Sequence, residues 1–388
     1  MESFLRGWVN NETPVAKEGR LHVLAAMSLA ISAGLLVAGL WPFNFHPMNG
    51  VRWLGNADGI RFQERGIAYT DGPVGGGEPT PAASSGGSMS LSLWARPLDE
   101  PGDDIKQILS FHSNGVQTFM LGQWLSSLVV KFPCTNANPA VRLCEFGVGN
   151  ALERGRLTFI TLVSGTDGSV IYADGAPNSS TEARLLTQRS TAGTLVAGNS
   201  MTGKTPWRGE LAGLAFGPVR LTASEVAEDF RTWRDTGYPG SADGHAFEGL
   251  YLFNERSGSV ACSHSGRVPC FQIPRSFTVL RRVVLEWPRG KNLLSYGNLE
   301  DVLLNLAGFV PFGFFVCAYF CESRDWSKRR IVLITTLLGG ALSLTIELLQ
   351  VYLPTRDSSS EDLAFNILGS LSGAIALSYA RTRFQKAE

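Results

Sequence analysis

The chain has 388 residues, enough for two or three domains, and carries 34 basic and 34 acidic residues. No basic surplus points to a nucleic-acid partner, and the charged fraction of 18% is low beside the about 25% of soluble proteins. Strongly apolar ends flank a middle region of water-soluble character. The composition therefore predicts a membrane protein that contains a soluble domain.

The first apolar segment covers residues 21–41 and follows Lys17 and Arg20. Its length of about 20 residues is enough to span a bilayer as a helix. A secretory signal peptide also has a basic start and an apolar core, but it ends in small residues. Here the segment ends in Trp41, Pro42 and Phe43. We predict a retained membrane helix over residues 21–41, preceded by a cytoplasmic N-terminus of residues 1–20.

The middle region, residues 49–277, has the pattern of many short strands. Residues 89–95 (MSLSLWA) and 158–163 (TFITLV) alternate apolar and polar side chains, and Asp174-Gly175 is a strong hairpin signal. Strands with glycine-rich turns favour an antiparallel β-sandwich. Residues 224–230 look helical, with Thr222 or Ser224 as the N-cap. Residues 245–277 fit either a returning strand of the sandwich or a membrane-proximal hairpin.

Carboxylates in the middle region give little indication of catalysis. Glu210 is a lone strand carboxylate, and no E-x-D-x-x-E repeat of the kind used by some glycan-cleaving sandwiches is present. We interpret Glu210 as an exposed or hydrogen-bonded residue. Calcium would be compatible with Asp71 or Asp174, but no cluster of oxygen ligands supports it. We therefore predict no metal and no cofactor.

Cysteine spacing separates two groups. Cys134 with Cys144, and Cys262 with Cys270, are local pairs within the middle region. An oxidising compartment would allow both to form disulfides, with free thiols as the alternative. Cys317 and Cys321 lie four residues apart in an apolar segment without a third soft ligand, so packing is the better interpretation.

Residues 278–300 form a linker with a mixed character. Trp287 and several arginines alternate with aliphatic residues. This mixture suits the membrane interface, where Trp lies at headgroup level and Arg meets phosphates. A linker packed on the sandwich explains the composition equally well.

The region 301–380 contains three apolar segments of spanning length at residues 302–321, 331–351 and 363–380. Consecutive spanning helices alternate in direction, so the polar residues at their ends fall on one side of the membrane. Spacings of three or four residues keep each pair on one helical face. These residues form the candidate ligand-binding cluster: Asp301, Asn305, Glu347, Gln350, Arg356, Asp362 and Asn366.

Within this cluster, Glu347 is the best functional candidate. It lies about one turn inside an apolar segment, where a carboxylate is costly unless it is paired or faces water. The competing interpretation is architectural: caps and interhelical hydrogen bonds, with Asp362 as the N-cap of the last helix.

Basic residues near the helix ends predict the orientation. With four spans, three basic groups fall on one side: Arg6, Lys17, Arg20; Arg324, Lys328, Arg329, Arg330; Arg381, Arg383, Lys386. We expect a multi-pass protein of the inner cell membrane with both termini cytoplasmic, including the tail 381–388. The middle domain and the polar cluster would then be extracytoplasmic. Another basic group, which precedes the second helix, opposes this orientation: Arg281, Arg282, Arg289 and Lys291.

The C-terminal segments NLAGFVPFGFF and SLTIELLQVYLPTRDSSSEDLAFNILGSLSG resemble the VanZ-like membrane family. The family pattern is N-x-x-x-F-x-P-x-G, then E-x-x-Q, then R-x-x-x-x-x-D-x-x-x-N-x-x-G. It is matched by Asn305, Phe309, Pro311, Gly313, Glu347, Gln350, Arg356, Asp362, Asn366 and Gly369. The LWPF end of the first helix is also similar to the family, which makes the middle domain an insertion between helices one and two. The family is named for reduced susceptibility to a lipoglycopeptide antibiotic, so the resemblance implies a similar role for this chain. It does not imply a particular reaction.

The middle region has its own resemblance. SMSLSLWARP, GRLTFITLV, VIYADG and WRGELAGLAFGPVRLTASEV resemble the concanavalin A-like, laminin-G-like jelly roll. The resemblance implies a lectin-like or adhesive sandwich of two sheets, without fixing a ligand. The expected fold is thus a four-helix transmembrane bundle with an all-β sandwich inserted between helices one and two.

Three functional hypotheses follow. The first is an envelope protein that binds a lipid-linked or amphiphilic ligand at an outward-facing polar pocket, with Arg356 contacting an anionic headgroup. The second is a membrane-anchored glycan-binding or adhesive protein, whose partner is an extracellular glycan or protein. The third is a membrane enzyme with Glu347 or Asp362 as general acid or base. It is less favoured, because no motif of a nucleophile paired with a base accompanies these residues.

Overall fold

The structure is a computed structural model that describes residues 14–75, 87–102, 104–134, 143–243, 247–287 and 296–385. The chain divides into two compact units. One is His46–Arg281, and the other combines Met1–Phe45 with Arg282–Glu388. The first unit is a β-sandwich and the second is built from long helices.

Six α-helices lie in the described residues: α1 Pro14–Leu40, α2 Gln188–Thr191, α3 Ala223–Thr236, α4 Tyr296–Ser323, α5 Lys328–Gln350 and α6 Ser360–Gln385. Strands β1 to β8 are Val51–Trp53, Ile60–Phe62, Ala68–Thr70, Met89–Pro97, Lys106–Ser113, Val116–Trp124, Ser127–Pro133 and Leu143–Val148. Strands β9 to β16 are Thr158–Gly165, Gly168–Ala173, Ala176–Thr181, Thr194–Ala197, Gly209–Gly217, Gly249–Tyr251, Val260–Ala261 and Phe271–Gln272.

The strands form two antiparallel sheets, each with eight strands in the described part of the chain. The first has the order β1-β2-β13-β4-β9-β10-β11, with β14 also paired to β13. The second has the order β15-β16-β3-β12-β5-β6-β7-β8. The β-sandwich that the sequence predicted is therefore confirmed.

The core of the sandwich is a layer of large side chains between the two sheets. Phe111 of β5 meets Phe216 of β13 across this layer, with ring centroids 5.4 Å apart, and both are fully buried. Trp207 and Tyr251 are also fully buried in the same cluster. Burial of each such side chain stabilises the fold by roughly 1.5–3 kcal/mol, so this layer dominates the stability of the unit.

The outer face of the first sheet is also covered, in this case by α3. Trp94 of β4 and Phe159 of β9 have ring centroids 4.9 Å apart, and Trp233 of α3 packs on Phe159 at 5.7 Å. The polar positions that alternate along β4 are consequently buried too. Ser92 hydrogen-bonds Thr161 of β9 at 3.0 Å, which satisfies both hydroxyls in place of water.

Local signals in the sequence set the ends of these elements. Thr222 is the N-cap of α3 and forms a capping box with Glu225, so of the two candidate caps Thr222 is confirmed. Gly237 ends the helix with φ 78°. The hairpin between β10 and β11 turns at Asp174 and Gly175, whose φ values of 50° and 80° match a two-residue turn with left-handed conformations.

Residues 249–272 return to the sandwich, because β14 pairs with the first sheet and β16 with the second. This excludes the membrane-proximal hairpin for that stretch. Both predicted disulfides are confirmed, Cys134–Cys144 and Cys262–Cys270. Val279 and Leu280 pack against a buried cluster that includes Phe277, so the start of the linker packs on the sandwich.

Four helices are long and apolar enough to cross a membrane in the described part of the chain. The candidate spans are Val15–Leu40, Leu299–Ser323, Lys328–Gln350 and Ser360–Arg383. They overlap the segments predicted at residues 21–41, 302–321, 331–351 and 363–380, and the helices extend beyond those segments at several ends. Cys317 and Cys321 are free thiols within α4, with Cys317 buried among apolar side chains.

Small residues allow α4 and α6 to approach closely. A Cβ added to Gly369 would lie 2.3 Å from the carbonyl oxygen of Leu306, and one added to Gly373 would lie 2.1 Å from that of Val310. Glycines four residues apart are a common device for bringing membrane helices into backbone contact. This contact aligns the first turns of α4 and α6, where predicted polar residues lie.

One end of the helices carries their basic residues. Glu322 at the end of α4 is within 3.5 Å of Arg20 of α1 and 3.3 Å of Arg381 of α6. Lys328 at the start of α5 donates to the hydroxyl of Thr382 at 3.0 Å. Residues from three of the basic groups in the sequence therefore lie at the same end of the helical unit.

Candidate functional site

A cavity of about 590 Å³ lies in the helical unit at the end away from this basic group. Its walls come from α1, α4, α5, α6 and the loop between α5 and α6. All seven residues of the polar cluster line it: Asp301, Asn305, Glu347, Gln350, Arg356, Asp362 and Asn366. The structure thus brings together side chains that lie up to 65 positions apart in the chain.

Helix direction explains how these residues meet. The first turns of α4 and α6 and the last turns of α5 lie at the same end, because the three helices alternate in direction. Asp301 and Asn305 share a face of α4, as do Glu347 and Gln350 on α5. Apolar residues of the spans complete the wall, among them Leu304 and Phe309.

Glu347 connects the end of α5 to the start of α6. Its side chain is buried, with 2% exposure, and its Oε2 accepts a hydrogen bond of 2.7 Å from the backbone N–H of Ser359. Ser359 immediately precedes α6. A carboxylate at this position is favoured by the free N–H groups and the dipole at a helix N-terminus.

The cap of α6 is Ser359 and not Asp362. The Ser359 hydroxyl accepts from the N–H groups of Glu361 at 3.1 Å and Asp362 at 3.3 Å. The prediction of Asp362 as N-cap was therefore wrong, since this residue is already in the first helical turn. The sequence did contain the signal, because Ser359 followed three residues later by an acidic residue matches a capping-box pattern.

Gln350 and Arg356 hold the end of α1 at the cavity. Gln350 Nε2 donates to the carbonyl oxygen of Gly39 at 2.9 Å, and Arg356 Nε donates to that of Trp41 at 2.9 Å. Both acceptors are backbone groups at the C-terminal end of α1, where helix carbonyls lack intrahelical partners. Sequence reasoning missed them, because a backbone carbonyl has no residue signature.

Asn366 joins α6 to α5 below the first turn of α6. Its Nδ2 donates to the Ser343 hydroxyl at 2.9 Å, and its side chain is buried with 4% exposure. The Asn366 Oδ1 atom is buried and has no hydrogen-bond partner among the described residues, and the same is true of Gln350 Oε1. The cavity wall therefore contains two buried acceptors that are not satisfied by these parts of the protein.

The last part of the linker also contacts this loop. The Glu286 N–H donates to the Ser358 carbonyl at 2.9 Å, and the Ser360 N–H donates to the Glu286 carbonyl at 3.2 Å. Arg282 lies over the ring of Tyr352 at 4.7 Å. The linker thus supports the segment that includes Ser359, a contact that the sequence did not predict.

No metal centre emerges from the described residues, since none of their His, Cys, Asp and Glu side chains form a group of three or more suited to a metal ion. In the sandwich, Asp174 accepts from Arg156 at 2.5 Å and from the Phe159 N–H at 2.9 Å. Each of the two Asp174 carboxylate oxygens therefore has one hydrogen-bond donor.

Glu210 is a structural residue of the sandwich. It is buried, with 3% exposure, and pairs with Arg61 at 2.6 Å and Arg96 at 2.8 Å on the neighbouring strands. Two guanidinium partners on adjacent strands agree with the hydrogen-bonded interpretation of this carboxylate.

The sandwich has a groove of about 520 Å³ beside the start of α3. Asp167 and Arg220 form an ion pair of 2.5 Å in its wall, and Tyr172 and Thr181 also line it. The hydrogen bond from Arg220 lowers the pKa of the Asp167 carboxyl. The groove therefore presents a charged pair beside hydroxyl groups.

Two family models match the chain. Residues 251–381 match VanZ/LLP1, and residues 75–227 match the Concanavalin A-like lectin/glucanases superfamily. No curated protein matches the chain.

Several solved structures are similar to about half of the chain. The binding domain of Paraclostridial Mosquitocidal Protein 1 is 16% identical, with a TM-score of 0.35, over 48% of this chain and 47% of that one. The SAP-like pentraxin from Limulus polyphemus is 15% identical, with a TM-score of 0.31, over 47% and 78%. The binding domain of Botulinum Neurotoxin DC in complex with SialylT is 14% identical, with a TM-score of 0.35, over 48% and 45%.

The chain spans less than half the length of the two toxin domains. The family matches follow the order of the two resemblances in the sequence. The chain therefore has a match to the VanZ/LLP1 model in its C-terminal part, preceded by a match to the concanavalin A-like model, in the arrangement that the sequence predicted.

Proposed function

We propose that the helical unit binds a lipid-linked or amphiphilic ligand of the bacterial cell envelope in the cavity at the polar ends of its helices. The observation that carries this proposal is the composition of the cavity wall. The seven residues of the polar cluster, from three helices and a loop, share the wall with apolar side chains of candidate membrane spans. A ligand with both a polar headgroup and an apolar chain matches such a wall.

The roles of individual residues follow from their contacts. Arg356 is exposed and uses its Nε on the Trp41 carbonyl, so the guanidinium is fixed while its other N–H groups face an anionic headgroup. Glu347, Gln350 and Asn366 are buried and shape the pocket.

We place the cavity and the sandwich on the extracytoplasmic side, with both termini in the cytoplasm. Support comes from the basic end of the helices, which the positive-inside rule assigns to the cytoplasm, and from the two disulfides of the sandwich. A membrane-impermeant thiol reagent should then label Asp357→Cys in intact cells. Ser327→Cys, before α5 at the basic end, should be labelled only after permeabilisation.

The main test is native mass spectrometry of the detergent-extracted protein with identification of the retained lipids. Wild type should retain a defined lipid or lipid-linked glycan, and Arg356→Gln and Glu347→Gln should lose most of it. Matched controls are Arg329→Gln and Glu300→Gln, which remove the same charges at exposed positions outside the cavity wall. Thermal unfolding in detergent establishes that all four variants are folded.

Two outcomes would overturn the proposal. One is the absence of any selectively retained lipid in the wild type. The other is equal retention in cavity and control variants. The role in antibiotic susceptibility that the family resemblance implies is tested with the same variants, since Arg356→Gln should abolish any protection that wild type confers on cells.

A second candidate is glycan binding by the sandwich, and the groove beside α3 favours it. Hydroxyl and charged groups of Asp167, Thr181 and Arg220 can hydrogen-bond a sugar, and Tyr172 adds an aromatic ring. A glycan array probed with wild type and Arg220→Gln would test this. Binding that is unchanged in Arg220→Gln would exclude the groove as the site.

A further inference from the structure

The cavity of the helical unit has a charge balance that does not suit a purely anionic ligand. Among the described residues its wall contains four carboxylates and one guanidinium, that of Arg356, and no lysine or histidine. The carboxylates are Asp301, Glu347, Asp357 and Asp362. Asp357 and Asp362 also interact with other residues of the protein, so Asp301 and Glu347 are the carboxylates that matter most for a ligand. These two carboxylates favour a ligand that carries a cationic group beside the anionic group that Arg356 binds.

The hydrogen-bonding groups of the wall point to the same chemistry. Gln350 and Asn366 line the cavity with 8% and 4% exposure, and each has a buried side-chain oxygen without a partner among the described residues. The orientation of the Gln350 amide is fixed, because its nitrogen donates to the carbonyl of Gly39. A buried acceptor without a donor costs roughly 1–3 kcal/mol, so a ligand that supplies N–H groups is favoured.

The cavity also has an apolar side that reaches the surface of the helical unit. Leu304 of α4 lines the cavity and is 64% exposed, and Ala38 of α1 lines it and is exposed as well. Both residues belong to candidate membrane spans. The apolar part of the wall therefore reaches the surface on α1 and on α4, where an acyl or isoprenoid chain could extend into the hydrocarbon.

We propose that the headgroup recognised by this cavity is zwitterionic, with a primary ammonium for the carboxylates and amide oxygens and an anionic group for Arg356. A primary ammonium has three N–H donors and a positive charge, which match the two amide oxygens without a partner and the carboxylates of the wall. This inference rests on the proposed function and names the chemical class of its ligand.

The test compares lipids that differ only in the headgroup, using the full-length protein and native mass spectrometry. Phosphatidylethanolamine has a primary ammonium, phosphatidylcholine has a quaternary ammonium without N–H donors, and phosphatidylglycerol is anionic. With equal acyl chains in competition, we expect phosphatidylethanolamine to be retained at least tenfold over the other two. Addition of EDTA should leave this preference unchanged.

Variants locate the preference in the wall. Asp301→Asn and Gln350→Met should each reduce the preference for phosphatidylethanolamine over phosphatidylcholine by threefold or more. Glu300→Gln removes a neighbouring charge that does not line the cavity and should leave it unchanged. Because the wild-type comparison uses no substitution, the inference stays testable even if a variant fails to fold.

The failures are distinguishable. Equal retention of phosphatidylethanolamine and phosphatidylcholine would refute the claim that the cavity selects an N–H donor. A preference for phosphatidylglycerol would refute selection of a zwitterionic headgroup, but an amphiphile would still bind in the cavity. Retention of phosphatidylglycerol that EDTA abolishes would refute the inference by assigning the carboxylates to a divalent cation. No selective retention of any lipid, with no effect of Arg356→Gln, would refute the proposed function itself.

Discussion

His112 of the sandwich should make this unit lose stability in mild acid. The residue lies on β5 with 5% exposure, and its Nε2 is 2.8 Å from the hydroxyl of Ser110, which accepts from Gln107 Nε2 at 2.7 Å. Its Nδ1 is buried without a partner among the described residues. Burial, with a smaller contribution from the positive charge of Arg281, lowers the pKa of His112 from 6.5 to about 4.

The sign and size of the effect follow from proton linkage. As the pH falls below 6.5, the unfolded chain binds a proton at this histidine while the folded protein does not, so acid favours the unfolded state. The loss of stability continues until the pH reaches the folded value of about 4. At about 1.36 kcal/mol for each pH unit, the full loss is about 3 kcal/mol, of which about 2 kcal/mol is reached at pH 5.

The assay is urea unfolding of the full-length protein in mild detergent at pH 7 and pH 5. Pulsed hydrogen exchange of peptides from the sandwich reports the unfolding of this unit. His112→Gln removes the titration, and His264→Gln, at an exposed position of the same unit, is the matched control. The loss of unfolding free energy between the two pH values should be about 2 kcal/mol smaller in His112→Gln than in wild type. An equal loss in both proteins would refute the reasoning.

Two further predictions concern packing and charge. Gly369→Ala should lower the free energy of unfolding of the helical unit by about 1–3 kcal/mol, because the new Cβ would lie 2.3 Å from the Leu306 carbonyl oxygen. The control is Gly34→Ala, whose Cβ would have no neighbour within 4 Å and which should cause no such loss. Thermal unfolding in detergent checks both, and equal behaviour would contradict the close contact. Glu210→Ala should destabilise the sandwich by about 1–3 kcal/mol, measured by urea unfolding, because Arg61 and Arg96 lose their partner. Unchanged stability would contradict a structural role for this carboxylate.

The polar cluster could be predicted from the sequence because two simple features determine it. Apolar length defines the helices, and their alternating direction brings Asp301, Glu347 and Asn366 to one end. What could not be predicted is the set of contacts made by backbone atoms. The carbonyls of Gly39 and Trp41 receive hydrogen bonds from residues 311 and 315 positions away, and nothing in the residue types encodes that.

The sandwich shows a similar limit. Alternation in β4 predicts a strand with one apolar and one polar face, and the strand is present. Alternation does not reveal that the polar face is covered by α3. Ser90 and Ser92 are both buried, and each has a partner, the Val219 carbonyl at 2.8 Å and the Thr161 hydroxyl at 3.0 Å. Short hydroxyl side chains serve equally at an exposed face and at a buried one, so the local pattern cannot separate the two.

The loop between α5 and α6 explains why Glu347 depends on more than its own helix. The N–H that Glu347 accepts belongs to Ser359, and the residues on both sides of Ser359 exchange backbone hydrogen bonds with Glu286 of the linker. A carboxylate buried at the end of an apolar helix requires a donor whose position is fixed, because each buried acceptor that loses its donor is costly. The linker therefore belongs to the structural support of the cavity, and the residues that hold Glu347 in place come from both sides of the α4 helix in the chain.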